Sequence, residues 1–382
     1  MSAFTFSTTP RLIVEDGAAG RLGQLVHDLG GRHAFVVTDG FLASSGLIDE
    51  ALGSFARAGI GYTLFAEVQP DPPEASVLSA AADARRVGVD CVIGLGGGSA
   101  IDTAKLVALL AATDQRIEDI YGLNLARGPR LMLVQVPTTA GTGSEVTPIS
   151  ILTTPDDQKK GVVSDLLYPD LAVLDATLTL GLPARATAMT GVDAMVHAVE
   201  AYTTRHKKNP MSDALAVRAL TMLSGNIRRV VEDGSDLEAR RAMLQGSLLA
   251  GMAFANAPVA AVHALAYPLG GLFHVPHGLS NALVFSEVAA FNLSQANGLY
   301  GELAMLMPDD LTERSHTGEG FVSAIGTLVA QMPMEQRLSE VGVTQGDLDR
   351  LAIDAMKVTR LLVNNPRDVA LEDARAIYAA VL

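Results

Sequence analysis

Apolar, β-rich runs alternate with helical patterns through roughly the first half of the chain. The runs "HAFVVTDG" (33–40), "GYTLFAEV" (61–68), "DCVIGLGGG" (90–98), "LMLVQVPTT" (131–139) and "LAVLDA" (171–176) predict strands. Amphipathic patterns over 18–29, 75–87 and 100–112 predict helices. Strands and helices alternating in this way predict parallel βαβ units, an α/β Rossmann-like domain with a parallel sheet. After "LTLGLPARATAMTG" (178–191) the alternation fades, and apolar segments with helical periodicity run to the C-terminus. The second half is therefore predicted to be all-α. The turn Gly181-Leu182-Pro183 marks the boundary, which gives an α/β domain over 1–180 and a helical domain over 181–382.

One apolar stretch, 248–273, has no charged side chain over a length that could span a bilayer. Asn256, Pro258, His263, Pro268 and paired glycines interrupt it, and no Lys or Arg flank orients it, so buried core helices are the expectation. The N-terminus lacks the charged-then-apolar profile of a secretory signal.

At 382 residues the chain exceeds the size at which single cores stop growing, about 250–300 residues. The composition, 49% hydrophobic, belongs to a globular protein with a sizeable core. A net charge of -14 argues against nucleic acid or anionic lipid as a partner, because both need a basic surface to displace counterions. A small-molecule substrate is expected instead. The single cysteine, Cys91, lies in an apolar run and implies no oxidative folding, which fits a reducing cytoplasm.

Candidate chemistry begins at "VIGLGGGSAIDTAK" (92–105). A strand runs into Gly96-Gly97-Gly98 and Ser99 opens a helix, which offers bare backbone N–H groups to a phosphate. The spacing only approximates the dinucleotide fingerprint, and no Gly-Lys-Ser/Thr triplet completes a P-loop. A second cluster, "VPTTAGTGSEVTP" (136–148), also follows a strand and supplies Thr138, Thr139, Thr142, Ser144 and Thr147 as hydroxyl donors. Both loops are expected at the carboxyl edge of one parallel sheet, where such sheets bind ligands. Asp39 ends the strand 33–40 and is placed to accept from a ribose diol while repelling a 2′-phosphate, which favours NAD over NADP. A plain turn aspartate before Gly40 satisfies the same local pattern.

In "TGVDAMVHAVEAY" (190–202), Asp193, His197 and Glu200 share one strip of a helix at i, i+4 and i+7, between apolar flanks. A buried carboxylate needs a partner, and His197 alone satisfies that need as a structural pair. Alternatively, "VHALAYPLGGLFHVPHGLSN" (262–281) supplies His263, His274 and His277. Asp193, His197 and two of those three would make a mixed O/N set suited to Zn²⁺ or Fe²⁺.

Taken together, "GGGSAIDTAK", "PTTAGTGSEVT", "TGVDAMVHAVEAY" and "HALAYPLGGLFHVPHGLSNAL" occur in the order and spacing of the iron-containing (group III) alcohol dehydrogenases, and the chain resembles that family from about Pro10 onward. The resemblance implies NAD(P) and one divalent metal in a cleft between the two domains, and a homodimer. It implies Asp193, His197, His263 and His277 as metal ligands, with His274 only a neighbour; Glu200, on the same helix strip, is then expected as a supporting or a structural acid. It implies cofactor contacts at Asp39, Gly97, Gly98, Ser99, Asp102, Thr138, Thr139, Thr142, Thr147 and Lys160. Phe254 is a candidate for the substrate pocket and equally for the core. Where many relatives carry a further histidine, implicated in proton relay, this chain has Tyr267, a poorer proton shuttle than an imidazole at neutral pH. The expected reaction is hydride transfer between NAD(H) and a primary alcohol/aldehyde pair. Rivals on the same scaffold are a glycerol or polyol dehydrogenase, a hydroxyacid–oxoacid transhydrogenase and a maleylacetate reductase, although the last branch loses ligand positions that this chain keeps. A dehydroquinate synthase-like lyase needs basic residues that the helical half does not cluster, and a non-catalytic nucleotide binder has no use for four convergent ligands.

Overall fold

The computed structural model describes residues 3–156, 158–312 and 315–382. The chain divides into two compact units, one spanning Thr8–Gly181 and the other Leu182–Leu382 together with the residues up to Ser7. The N-terminal residues group with the helical unit, where the sequence places them in the first domain. A reciprocal pair of bonds ties Ser7 to that unit: Ser7 N donates to Asn256 Oδ1 (2.7 Å), and Asn256 Nδ2 donates back to Ser7 O (2.9 Å).

Among the described residues the α/β unit has nine strands: β1 (Leu12–Val14), β2 (His33–Asp39), β3 (Gly61–Val68), β4 (Cys91–Gly96), β5 (Gly122–Leu123), β6 (Met132–Pro137), β7 (Ile149–Thr153), β8 (Lys159–Val163) and β9 (Leu171–Leu174). Six of them form one all-parallel sheet in the order β1-β9-β6-β4-β2-β3. Its helices are α1 (Leu22–Asp28), α2 (Gly40–Ser45), α3 (Asp49–Arg57), α4 (Glu74–Val87) and α5 (Gly98–Ala112). Side chains alternate across the sheet. Phe35, Val37 and Val92 pack with α4 and α5, whereas Ala34, Val36, Cys91, Ile93 and Leu95 pack with α1 and α3. Both faces are covered, which explains why these strands read as continuous apolar runs.

From β2 the chain steps outward to β3, then returns to β4 on the other side of β2 and continues to β6 and β9. The order reverses between β2 and β4, and the carboxyl ends of strands at such a switch point are where doubly wound sheets take ligands.

All five predicted strands are present, but four further ones are not legible from periodicity. β1 is a short edge strand on β9, and β5, β8 and β7 form a separate three-stranded sheet in which β7 and β8 pair antiparallel. The helix predicted over 18–29 is a 3₁₀ turn, Ala18–Arg21, followed by α1. α2 and α3 are additional.

The second unit is all helical: α6 (Ala184–Thr203), α7 (Pro210–Glu232), α8 (Leu237–Asn256), α9 (Ala261–Phe273), α10 (His277–Ala304), α11 (Asp309–Thr312), α12 (Gly318–Ala330), α13 (Leu348–Met356), α14 (Thr359–Leu362) and α15 (Leu371–Ala380). α6 is buried on every side from Gly191 to Ala201, the behaviour of a helix apolar all round. The stretch 248–273 is divided between α8 and α9, which meet at 104°. Among the described residues no single helix is long and apolar enough to cross a membrane.

Candidate metal and cofactor sites

α6 carries Asp193, His197 and Glu200 on one strip, and all three are buried. α9 brings in His263, also buried, and α10 begins at His277, whose side chain keeps 38% of its exposure. One ligand atom from each of Asp193, His197, His263 and His277 can be chosen so that all four lie within 4.8 Å of one another. Asp193 Oδ1 is 4.0 Å from His197 Nε2 and 3.6 Å from His277 Nε2. A tetrahedral site with bonds near 2.1 Å has edges of about 3.4 Å, so the quartet fits a first-row divalent ion with modest contraction.

A supporting contact fixes which nitrogen of His263 faces inward. Glu200 Oε2 lies 2.6 Å from His263 Nδ1, and Glu200 Oε1 accepts from Val262 N at 2.7 Å. The carboxylate thereby holds a proton on Nδ1 and leaves His263 Nε2 as the electron-pair donor, the arrangement that orients metal-bound histidines. Phe254 stacks flat on His197, with ring centroids 4.4 Å apart and planes 19° apart. Burial pushes the Asp193 carboxyl upward, but His197, His277, His263 and the Asn281 amide outweigh it and hold the group below the usual carboxylate range.

Asn281 was not singled out in the sequence. Its Nδ2 donates to Asp193 Oδ1 (2.6 Å) and lies 3.2 Å from His263 Nε2 and 3.3 Å from His277 Nε2. The signal was available, because Asn281 follows His277 by four residues and so shares its helix face. Gly278 permits the close approach of α10 to α6: a Cβ there would stand 2.5 Å from Met189 O. His274 takes no part. It ends α9 in the left-handed conformation, φ 54°, with its side chain exposed.

Tyr267, half-buried on α9, turns its ring toward His277 at 6.3 Å between centroids. Its hydroxyl accepts from Arg360 Nη2 at 3.3 Å.

In the α/β unit, Asp39 ends β2 and caps α2 by accepting from Leu42 N (2.9 Å). Its Oδ2 lies 3.9 Å from where a Cβ on Gly96 would stand, so the acid adjoins the glycine turn. α5 starts at Gly98, one residue before the predicted Ser99, with Gly97 as its cap. The two donor-rich loops converge: a Cβ on Gly98 would stand 2.7 Å from Thr142 Cγ2, and one on Gly97 would stand 3.6 Å from Thr139 Cγ2. Thr138 N donates to Gly96 O at 2.9 Å and extends the β4/β6 ladder. This cradle, with free backbone N–H groups at a helix N-terminus, fits a diphosphate.

Asp102 and Thr147 sit elsewhere in that architecture. Asp102 Oδ1 accepts from Ser144 Oγ (2.5 Å) and Oδ2 from Ile151 N (2.8 Å). Lys105, fully buried, donates to Ser144 Oγ (2.6 Å), Thr147 Oγ1 (3.2 Å) and Ile149 O (2.6 Å). Together they pin the second loop to α5. Burial pushes Lys105 down to about 8 against the pull of Asp102 and Glu145, and pushes the buried Glu145 up to about 7. Lys105 was also missed in the sequence, although it and Asp102 are the only charged residues of α5. Lys160 lies on β8, its ammonium 5.5 Å from the Tyr121 ring centroid.

Two family models cover nearly the whole chain: "Iron-containing alcohol dehydrogenase" matches residues 9–176, and "Fe-containing alcohol dehydrogenase family, C-terminal" matches 187–382. The chain belongs to the iron-containing alcohol dehydrogenase family. Among its relatives, long-chain-alcohol dehydrogenase 1 of Geobacillus thermodenitrificans is 40% identical over 94% of this chain and 93% of that protein. The NAD-dependent methanol dehydrogenase of Bacillus methanolicus is 32% identical over 99% of both. The crystal structure of a 1,3-propanediol oxidoreductase superposes over 100% of both chains with a TM-score of 0.95 at 35% identity.

Proposed function

We propose that this protein is an NAD(H)-dependent, divalent-metal-dependent alcohol dehydrogenase that interconverts primary alcohols and aldehydes by hydride transfer. The observation that carries the reading is the cluster of Asp193, His197, His263 and His277, with the Glu200 and Asn281 contacts that orient it. A divalent ion held by these four residues would supply Lewis acidity to the alcohol or carbonyl oxygen. Glu200 fixes the tautomer of His263, burial excludes water from three of the four ligands, and the neighbouring imidazoles and Asn281 hold Asp193 ionised. In the α/β unit, Gly97, Gly98 and Ser99 offer backbone donors to the cofactor diphosphate, and Thr138, Thr139 and Thr142 line the facing loop. Asp39 favours the unphosphorylated ribose of NAD over NADP.

Iron or zinc suits the donor set equally, since imidazole and carboxylate serve both. The test is depletion with a chelator followed by NADH-monitored butanol oxidation after adding Fe²⁺ and Zn²⁺ separately. Activity that survives complete depletion rejects the metal assignment. Comparable kcat/KM with NADP and NAD rejects the assignment of Asp39. The same proposal extends to a homodimer in a reducing cytoplasm, supported by the family resemblance and the buried thiol of Cys91. A monomer mass in light scattering rejects the dimer.

A further inference from the structure

Tyr267 and Arg360 lie beside the metal cluster, and the metal and cofactor roles use neither of them. Arg360, on α14, is exposed and directs Nη2 to the Tyr267 hydroxyl, and its guanidinium carbon lies 5.9 Å from the Tyr267 ring centroid. That ring in turn stands 6.3 Å from the ring of His277, the most exposed of the four candidate ligands. The Tyr267 hydroxyl is the only hydrogen-bond acceptor for Arg360 among the described residues, and no carboxylate there pairs with it. A guanidinium carries five N–H donors in a fixed fork that matches planar and tetrahedral oxyanions, and its charge does not titrate in the accessible range. One donor is committed to a phenol, which positions the fork without neutralising it. A second cation beside a site for a divalent ion adds repulsion unless an anion offsets it.

The geometry points to Arg360, held by Tyr267, as a specificity-determining residue that binds an anionic substituent at the far end of a short-chain alcohol or aldehyde whose reactive end lies at the metal cluster. The inference rests on the dehydrogenase reading for the reacting end, while anion binding can be measured without turnover. The substrate class is an ω-oxo acid and its ω-hydroxy counterpart. The oxyanion takes a charge-assisted, bidentate bond from the fork. The reaction balances as in the neutral case: the aldehyde carbon gains hydride from NADH, its oxygen gains a proton from solvent, and the distal carboxylate is unchanged.

The test pairs two substrates of the same carbon count, 4-oxobutanoate and butanal, in metal-loaded enzyme with NADH. Wild type should favour 4-oxobutanoate in kcat/KM. Arg360→Gln should lower the ratio of the two kcat/KM values ten- to hundred-fold, mainly through KM for the acid, and Tyr267→Phe should lower it less in the same direction. Raising the salt concentration should erode the ratio in wild type and much less in Arg360→Gln. An unchanged ratio, or a wild type that favours butanal, overturns the inference. Calorimetric titration of butanoate separates this from failure of the dehydrogenase reading. Weaker butanoate binding in Arg360→Gln supports the anion site even if neither aldehyde is reduced, and equal binding in the two proteins overturns it whatever the turnover.

Discussion

The contact between Glu200 and His263 shows how one carboxylate outside the ligand set governs the site. By accepting from Nδ1 it selects the tautomer whose Nε2 faces Asp193 and the other imidazoles. Glu200→Gln keeps the size and one acceptor but loses the charge. Outer carboxylates of this kind are worth about 10–100-fold in metal affinity, so the variant should bind Co²⁺ weaker by that factor in an absorbance titration. Asn281→Leu removes the amide donor to the buried Asp193 and should shift the same titration in the same direction. Unchanged titrations in both would show that the quartet orients itself. Asp193 and His197 are legible as a pair in the sequence because a helix with so few polar residues leaves them conspicuous. The choice of His277 over His274 comes from the family motif and not from spacing, because it depends on α9 ending at His274 in a left-handed turn and α10 starting three residues later. No periodicity announces that break.

At the scale of elements, close approach decides what can be substituted. α10 lies against α6 at Gly278, where any side chain meets the backbone of Met189. Gly278→Ala should displace the start of α10, and His277 with it. The expected cost is about 1–3 kcal/mol in urea unfolding, the usual range for overpacking, together with weakened metal binding. In the α/β unit, the Asp102–Ser144–Lys105 brace links α5 to the second loop through charges that the fold keeps away from water. Lys105 sits below its ordinary value of 10.5, so between about pH 8 and that value the unfolded chain binds a proton that the folded chain has released. Stability through this group therefore rises with pH over that window. Glu145 works in the opposite sense. It keeps its proton in the fold up to about 7, above its ordinary 4.5, so its contribution falls as pH rises between those values. The stability difference between wild type and Lys105→Met, measured by urea unfolding at pH 8 to 10, should move in favour of wild type as pH rises. The reverse slope would contradict a depressed lysine. The small sheet of β5, β7 and β8 escaped notice for a related reason. β5 has two residues and β8 opens on two lysines, so neither shows an apolar run, and their pairing depends on contacts that only the tertiary structure provides.

For the whole molecule, the two halves of the pattern translate into two kinds of scaffold. The parallel sheet is readable because covering both faces forces uninterrupted apolar strands. The helical unit is readable because 3.6-residue periodicity persists to the C-terminus, although no periodicity announces the pair of hydrogen bonds that ties Ser7 to Asn256, far along the chain. α6 is enclosed by its neighbours through the same turns that carry Asp193, His197 and Glu200. Amide protons in such a segment exchange with solvent only through the largest openings of the structure. In deuterium exchange, the backbone from Val192 to Glu200 should be among the last to label, and adding metal should slow the exposed start of α10 far more than it slows α6. The ion would then be able to come and go through movements of the His277 side alone, while the floor of its site keeps its shape for as long as the protein stays folded.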